Sequence, residues 1–260
     1  MNQHKFITPA AFLGDRRVRV TVIGAGGNGS MLLDGLARLD CALRAQGHPG
    51  MDTTIYDAAL VRPANLGRQR FARADLGHPK AVLMQHRLNA FYDLDWKVKP
   101  ENYDPRQGSG GTDLLIGCVD RGDFRHALAT RWAGKRSDTL YLDTGNGAES
   151  GQVILGHLGV PSSQDRLPNV YDFFGDELLA GDDDDQPSCS LAEALTRQRW
   201  SINPLVASVA MSILDKLFHR GGLDEHGAFI SLDPMSVSPI AIDPAVWASF
   251  GIGRQTFGSR

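Results

Sequence analysis

The sequence contains little of what disulfide scaffolds, four-cysteine zinc sites and membrane proteins require. Its three cysteines, Cys41, Cys118 and Cys189, are too few and too widely spaced for either kind of cysteine framework. No run of roughly 18 apolar residues occurs, and residues 1–10 lack the apolar centre of a signal peptide. We therefore expect a cytoplasmic protein without a membrane segment.

A strong excess of charge of one sign is also absent. The 27 lysines and arginines nearly balance 30 aspartates and glutamates, which leaves a formal net charge of −3. Such a chain has no overall basic field to attract nucleic acid or an anionic membrane, and we expect neither as a partner. With 42% hydrophobic and 22% charged residues, its composition is that of an ordinary soluble globular protein.

Strand and helix patterns alternate through the first half of the sequence. Apolar runs predict strands, and 3.6-residue periodicity predicts the helices between them. The predicted strands are residues 17–23, 53–56, 113–119 and 139–143, and the predicted helices are residues 28–45, 79–91 and 123–133. This alternation predicts an α/β fold with a Rossmann-like, doubly wound parallel sheet.

The pattern changes after Gly151. A strand at 152–157 precedes a long segment, 160–190, that is rich in turn residues and contains an acidic run at 182–185. Helices follow at 191–200 and 204–218, and an antiparallel strand pair, 228–233 with 237–242, is predicted around Pro234-Met235-Ser236. The second half of the sheet is therefore expected to be mixed or antiparallel, and segment 160–190 irregular and mobile.

A glycine-rich loop follows the first predicted strand. The residues are Gly24, Ala25, Gly26, Gly27, Asn28, Gly29 and Ser30. A strand that turns through such a loop into a helix directs backbone N–H groups and the positive end of the helix dipole at an anion, such as a nucleotide phosphate. Glycines at this spacing also serve tight turns and close helix–strand packing without any ligand. The loop alone does not decide between these interpretations.

Charged residues follow the next strands. Asp57 ends the second strand, where it can accept hydrogen bonds from ribose hydroxyls or serve as an ordinary strand-end aspartate. The segment 65–70 and Lys80 are either solvated surface or fixed cations for a polyphosphate. Asp120 ends a third strand and can hold Mg²⁺ or cap the following helix, a role that Asp123 can also take.

Together these motifs resemble the ThiF/MoeB family of ubiquitin-activating-type adenylating enzymes. The resemblance covers residues 17–156 and rests on Gly24-x-Gly26-Gly27-Asn28-Gly29, Asp57, Asn65-Leu66-x-Arg68-Gln69, Gly77-x-x-Lys80, and Asp120 followed by Arg125. Residues 186–218, which include Pro187-Ser188-Cys189-Ser190 and Asn203-Pro204-Leu205, are most similar to the variant encoded with the plasmid-associated PRTRC system.

The resemblance implies ATP-dependent adenylation of the C-terminal carboxylate of a small ubiquitin-like protein, with release of pyrophosphate. It implies that Asp57 binds ribose, that Asn65, Arg68 and Lys80 hold the phosphates with Gln69 beside them, and that Asp120 binds Mg²⁺. A homodimer is expected on the same basis. Residues 1–260 then form a single ThiF-type adenylation domain, with a nucleotide-binding half at 15–158, a mobile crossing segment at 159–190, and C-terminal helices and a strand pair at 191–260.

The sequence departs from the family pattern at three places. Ala59 stands where many members have a second aspartate, and the Cys-x-x-Cys pairs of many members are missing, so we expect no zinc. The family's N-terminal arginine motif has no clear equivalent before Arg16-Arg17, and these two arginines can simply flank the first strand.

Cys189 lies where relatives that transfer the acyl group to a thiol carry their cysteine. A thiolate at the start of a helix has a lowered pKa and can attack an acyl-adenylate. Cys189 can equally be a small residue at the end of a loop, and the sequence leaves both interpretations open. Cys118, inside an apolar strand, is expected to serve packing.

Two other classes of function remain open. An NAD(P)-dependent oxidoreductase with a Rossmann fold would explain the glycine loop and Asp57 but would leave Arg68, Lys80 and Asp120 without a shared role. A non-catalytic scaffold that has kept the fold and binds a partner is the third possibility.

Overall fold

The computed structural model describes residues 5–14, 16–106, 111–180 and 191–253. Its strands are β1 (Phe6–Ile7), β2 (Val18–Ile23), β3 (Met51–Tyr56), β4 (Lys97–Lys99), β5 (Leu114–Gly117), β6 (Leu140–Asn146), β7 (Ser150–His157), β8 (Gly222–Leu223), β9 (Glu225–Leu232) and β10 (Met235–Ala241). Its α-helices are α1 (Gly27–Ala45), α2 (Lys80–Tyr92), α3 (Gly122–Trp132), α4 (Val170–Phe174), α5 (Leu191–Arg197), α6 (Ile202–His219) and α7 (Pro244–Ser249).

One eight-stranded sheet carries the fold, in the order β10-β9-β7-β6-β5-β2-β3-β4. The five strands from β4 to β6 pair in parallel, as helical crossover connections require. The central strand β5 is apolar and buried, and β2 is buried at every position except Arg19, as is typical of parallel strands covered on both faces. The predicted doubly wound parallel half is confirmed.

The other half of the sheet is antiparallel. β7 pairs with β6 and with β9, and β9 pairs with β10. This arrangement confirms the predicted mixed or antiparallel second half. The turn between β9 and β10 is tighter than predicted, because Met235 already pairs with Leu232 and only Asp233 and Pro234 connect the strands.

The structure differs from the sequence prediction in short elements. β4 was not predicted, and it is a short edge strand with two lysines. Part of segment 160–190 is helical rather than irregular, since α4 leads into a 3-10 helix at Gly175–Leu179. Asn169 caps α4, and its side chain accepts a hydrogen bond of 3.0 Å from the Tyr171 backbone N–H. The acidic run at 182–185 lies outside the described residues.

α1 and α6 pack against each other, and both contribute to the main hydrophobic core. This packing brings the start of α6 close to the glycine-rich loop at the start of α1. In the part of the chain that the structure describes, no helix has the length and apolar character needed to cross a membrane.

Candidate nucleotide-binding site

The glycine-rich loop divides into residues that shape the turn and residues that face a cavity. Gly24 has a φ of +96°, and a Cβ there would lie 2.7 Å from the Cys118 carbonyl oxygen. A Cβ on Gly29 would lie 2.0 Å from the Gly24 carbonyl oxygen. Both positions therefore require glycine for backbone geometry, whether or not a ligand binds. A Cβ on Gly26 would meet only the Gln69 side chain, at 4.0 Å.

A cavity of about 670 Å³ lies at the carboxyl edge of the parallel strands, where ligands gather in open α/β sheets. It brings together most of the site residues that the sequence predicted. Its lining includes Gly24, Gly26, Gly27, Asn28, Asp57, Arg68, Gln69, Lys80 and Asp120. Two of the described residues predicted for the site, Gly29 and Asn65, do not line it. Gly29 packs behind the loop, the Asn65 side chain accepts a hydrogen bond of 2.8 Å from the Arg62 backbone N–H, and Cys189 lies outside the described residues.

Asp57 connects the end of β3 to the glycine-rich loop. One carboxylate oxygen accepts a hydrogen bond of 2.7 Å from the Ala25 N–H, and the other accepts one of 2.7 Å from the Ala59 N–H. Asp57 therefore holds the glycine-rich loop in place against the end of β3. Each carboxylate oxygen keeps a further lone pair, so the same residue can accept a hydrogen bond from a ligand hydroxyl in the cavity.

Two cations in the cavity wall are poorly solvated. Lys80, at the first position of α2, is only 8% exposed. Burial lowers its pKa, while the carboxylates of Asp57 and Asp120 act in the opposite direction. Burial likewise lowers the pKa of Arg68, whose Nε is buried without a hydrogen-bond partner. Such cations gain from an anion that enters the cavity.

Asp120 follows β5, is exposed and lines the cavity. Within the described ranges, no group of three or more His, Cys, Asp or Glu side chains could hold a metal ion. Mg²⁺ is commonly held by one or two carboxylates together with substrate phosphates, and Asp120 fits that mode of binding.

Two further sets of side chains at this site, one of amides and one of aromatic rings, were not predicted from the sequence. Asn146, Gln198 and Asn203 line the cavity beside Asn28, although they come from distant parts of the chain. Aromatic residues line another part, where the Tyr56 and Tyr103 rings meet edge to face with their centroids 5.1 Å apart and Phe124 lies beyond them. Amides and isolated aromatics carry no periodic signal, so only the three-dimensional structure brings them together.

The structure gives three other arginines structural partners. Arg125, part of the family pattern, is buried and forms two hydrogen bonds of 2.9 and 2.5 Å to the Asp143 carboxylate. Arg16 and Arg17 flank β2 and pair with Asp113 at 2.7 Å and with Asp95 at 2.5 Å. These contacts agree with the structural interpretation of Arg16-Arg17.

A doubly wound sheet with a glycine-rich loop, a strand-end aspartate and two cationic side chains around one cavity defines a Rossmann-like protein with a nucleotide-type pocket. The sequence matches the ThiF family over residues 6–235. The chain therefore belongs to the ThiF family, which confirms the resemblance that the motifs indicated.

Individual proteins match this chain at low sequence identity. The ATP-dependent ubiquitin transferase-like protein Cap2 of Enterobacter hormaechei subsp. hoffmannii (strain UCI 50) is 27% identical over 134 residues, which are 49% of this chain and 20% of Cap2. The crystal structure of E. coli MccB with ATP has a TM-score of 0.59 at 15% identity, over 86% of this chain and 64% of MccB. PaaA has a TM-score of 0.55 at 15% identity, over the same shares of the two chains.

These structural likenesses establish the fold. The chain spans about a fifth of Cap2 and less than two thirds of MccB and PaaA.

Proposed function

We propose that this chain activates a carboxylate by ATP-dependent adenylation. The observation that supports this proposal is the shared lining of one cavity by the glycine-rich loop, Asp57, Arg68, Lys80 and Asp120. A dinucleotide-dependent oxidoreductase would use the loop and Asp57 but has no need for Arg68 and Lys80 in the cavity wall. A triphosphate does need them, because the loop dipoles cannot neutralise its charge.

The proposed reaction is a displacement at the α-phosphorus. A carboxylate oxygen of the substrate forms a bond to that phosphorus, the bond to the β-phosphate oxygen breaks, and pyrophosphate leaves with the electron pair. The carboxylate is already ionised at neutral pH, so no strong general base is required. In this proposal Asp57 holds the ribose, while Arg68 and Lys80 stabilise charge on the phosphates and the departing pyrophosphate. Mg²⁺, when bound beside Asp120, would supply further charge neutralisation.

We propose a protein C-terminus as the carboxylate, from a small ubiquitin-like partner. Family membership and the local similarity to Cap2, which is named as ubiquitin transferase-like, support this choice. MccB has been solved with ATP and with AMPCPP and MccA together, so a related fold can hold a nucleotide analogue and a second molecule in one structure. A homodimeric state, a cytoplasmic location and an association with the PRTRC system are further parts of the proposal.

The first experiment separates adenylation from the other two classes of function. ATP with Mg²⁺ should raise the melting temperature, since a ligand that binds only the folded state stabilises it, whereas NAD should not. Radiolabelled pyrophosphate should then exchange into ATP only when a candidate ubiquitin-like protein is present. Stabilisation by NAD alone would favour an oxidoreductase, and ATP binding without exchange would favour a scaffold.

Cys189 is proposed as the acceptor of the activated acyl group. Its thiolate sulfur would bond to the acyl carbon of the adenylate while AMP leaves with the electron pair of the broken carbon–oxygen bond. Intact-mass analysis after incubation with ATP and the partner should detect a covalent adduct that hydroxylamine removes and that Cys189→Ala abolishes.

Cys118→Ala provides the matched control for the cysteine experiment. Burial raises the pKa of Cys118 to about 12, so this thiol is protonated at neutral pH and is a poor nucleophile. The adduct should therefore survive Cys118→Ala. An adduct that persists in Cys189→Ala would contradict the thioester step while leaving adenylation intact.

A further inference from the structure

Arg68 is oriented by an uncharged side chain. Its Nη2 donates a hydrogen bond to Oε1 of Gln198, which lies directly after α5. Among the described residues, no carboxylate is hydrogen-bonded to or ion-paired with Arg68, and Asp120 acts on it only through space, in the direction that raises its pKa. A carboxylate partner would orient the guanidinium but would also cancel much of its charge. The amide orients it and leaves the positive charge available.

The Gln198 amide is itself fixed by two further hydrogen bonds. Its Nε2 donates to the Gly147 carbonyl oxygen at 3.3 Å, and its Oε1 also accepts from Asn203 Nδ2 at 3.4 Å. α5, which ends at Arg197, packs against the 3-10 turn Pro63–Asn65 that precedes Arg68 in the chain. The contact between Gln198 and Arg68 is therefore held from both sides.

The hydrogen bonds continue as a row of amides to the start of α1. Asn146 Nδ2 donates to Asn203 Oδ1 at 3.3 Å, and Asn28 Nδ2 donates to Asn146 Oδ1 at 2.7 Å. Asn203 is only 1% exposed, and a Cβ on Gly27 would lie 2.7 Å from its Oδ1. Gly27 thus makes room for this row, which joins the glycine-rich loop to the side chain that holds Arg68.

We propose that Gln198 is a positioning residue that holds Arg68 toward the polyphosphate of the nucleotide without compensating its charge. This role rests on the proposed function, because it requires a nucleotide in the cavity. It assigns to the junction of α5 and α6, outside the motifs of the nucleotide-binding half, a part in ATP affinity that is exerted through Arg68.

A double-mutant cycle with Arg68→Ala tests this role. Gln198→Ala should weaken ATP affinity roughly tenfold, the equivalent of about 1.4 kcal/mol, when Arg68 is present. In the Arg68→Ala background the same change should weaken it less than about twofold, since residues that act through one another are not additive. Calorimetric titration with ATP and Mg²⁺ measures all four proteins.

Gln198→Glu is a second, nearly isosteric variant. The new carboxylate would pair with Arg68 and remove its charge from the cavity, so ATP affinity should fall by roughly tenfold to a hundredfold while the fold is kept. Gln46→Glu adds the same charge at the exposed end of α1 and should leave ATP affinity within about twofold of wild type.

The outcomes separate this inference from the proposed function. Equal losses for Gln198→Ala in both backgrounds, or wild-type ATP affinity in Gln198→Glu, would overturn the role of Gln198 while the wild-type protein still binds ATP. A wild-type protein that binds no ATP would instead contradict the proposed function, and the role of Gln198 with it.

Discussion

At the scale of single residues, Lys80 and Arg68 are the cavity cations whose charged forms are disfavoured by burial. Within the part of the chain that the structure describes, the Lys80 ammonium has no hydrogen bond or ion pair, although only 8% of the residue is exposed. Its lowered pKa reflects this burial, because desolvation disfavours the charged form. Burial therefore opposes the positive charge of Lys80, and a bound anion would offset that cost.

Lys80→Met should separate stability from nucleotide binding. Methionine keeps the apolar stem and removes the buried charge, so the free energy of unfolding should stay the same or rise by about 1 kcal/mol. ATP affinity should fall at least about tenfold, because a charge near the phosphates is lost. Urea unfolding measures the first quantity and calorimetric titration with ATP and Mg²⁺ the second.

Lys97→Met is the matched control for Lys80. The Lys97 side chain is 65% exposed on β4 and pairs with Asp52 at 2.9 Å. Exposed ion pairs contribute little to stability, so this variant should change unfolding by less than about 1 kcal/mol and should leave ATP affinity unchanged. If Lys80→Met lost stability and kept ATP affinity, Lys80 would have a structural role instead.

At the scale of elements, helix α1 contains two glycines, Gly29 and Gly35, at which alanine would meet different neighbours. A Cβ on Gly29 would lie 2.0 Å from the Gly24 carbonyl oxygen, which is backbone and cannot move aside. A Cβ on Gly35 would lie 2.6 Å from Met211 Cγ, in a flexible side chain on α6. Alanine favours a helix over glycine by roughly 1 kcal/mol at either position, so the neighbouring atoms decide the sign of the effect.

Gly29→Ala should therefore destabilise the protein by roughly 1–3 kcal/mol, as overpacking does. It should also weaken ATP binding by displacing the glycine-rich loop. Gly35→Ala should stay within about 1 kcal/mol of wild type, because Met211 can repack. Thermal unfolding of the two variants gives the comparison. Equal losses in both would show that crowding at the Gly24 carbonyl is not the cause.

The elements also show what the sequence could predict. Long apolar strands and periodic helices, such as β2 and α1, were predicted within a residue or two because both pattern and composition favour them. β4 and α4 were missed because three to five residues are too few for a period to appear. The amide row was missed for another reason. Its members lie far apart in the sequence, and an isolated amide has no signature until folding brings it to its neighbours.

The candidate site was predictable to a similar degree. Asp57, Lys80 and Asp120 follow or precede recognisable elements, so their meeting at one edge of the sheet could be foreseen. Asn65 is different, since its side chain bonds the Arg62 backbone inside a loop whose shape no pattern specifies. The roles of the site residues stay predictions until a nucleotide is bound.

At the scale of the whole molecule, two buried histidines connect the antiparallel half to its covering segments. His226 on β9 donates from Nδ1 to the Leu155 carbonyl oxygen at 2.7 Å, and its Nε2 accepts from the Trp247 indole N–H at 2.9 Å. His157 Nδ1 accepts from the Leu167 N–H at 2.8 Å. Both rings are neutral in this arrangement, because each has a nitrogen that must accept a hydrogen bond.

These histidines predict a loss of stability in mild acid. Burial lowers the pKa of His226 to about 4 and that of His157 to about 3, against roughly 6.5 in the unfolded chain. Below pH 6.5 the unfolded state therefore binds protons that the folded state does not. Stability should be constant above about pH 7 and should fall from pH 6.5 toward pH 4, by roughly 3 kcal/mol for His226 alone.

Urea unfolding between pH 8 and pH 5 measures how stability depends on pH. A comparison of two histidine variants shows how much of that dependence comes from His226. Asp113, whose pKa is lowered to about 2, loses its contribution only at more acidic pH, so it does not obscure the window. His226→Gln can still accept the indole hydrogen bond and should reduce the slope by about one proton, while His86→Gln, at an exposed helix position, should keep the wild-type profile. A slope unchanged in His226→Gln would mean that the ring is protonated in the folded protein, which is incompatible with an Nε2 that accepts from Trp247.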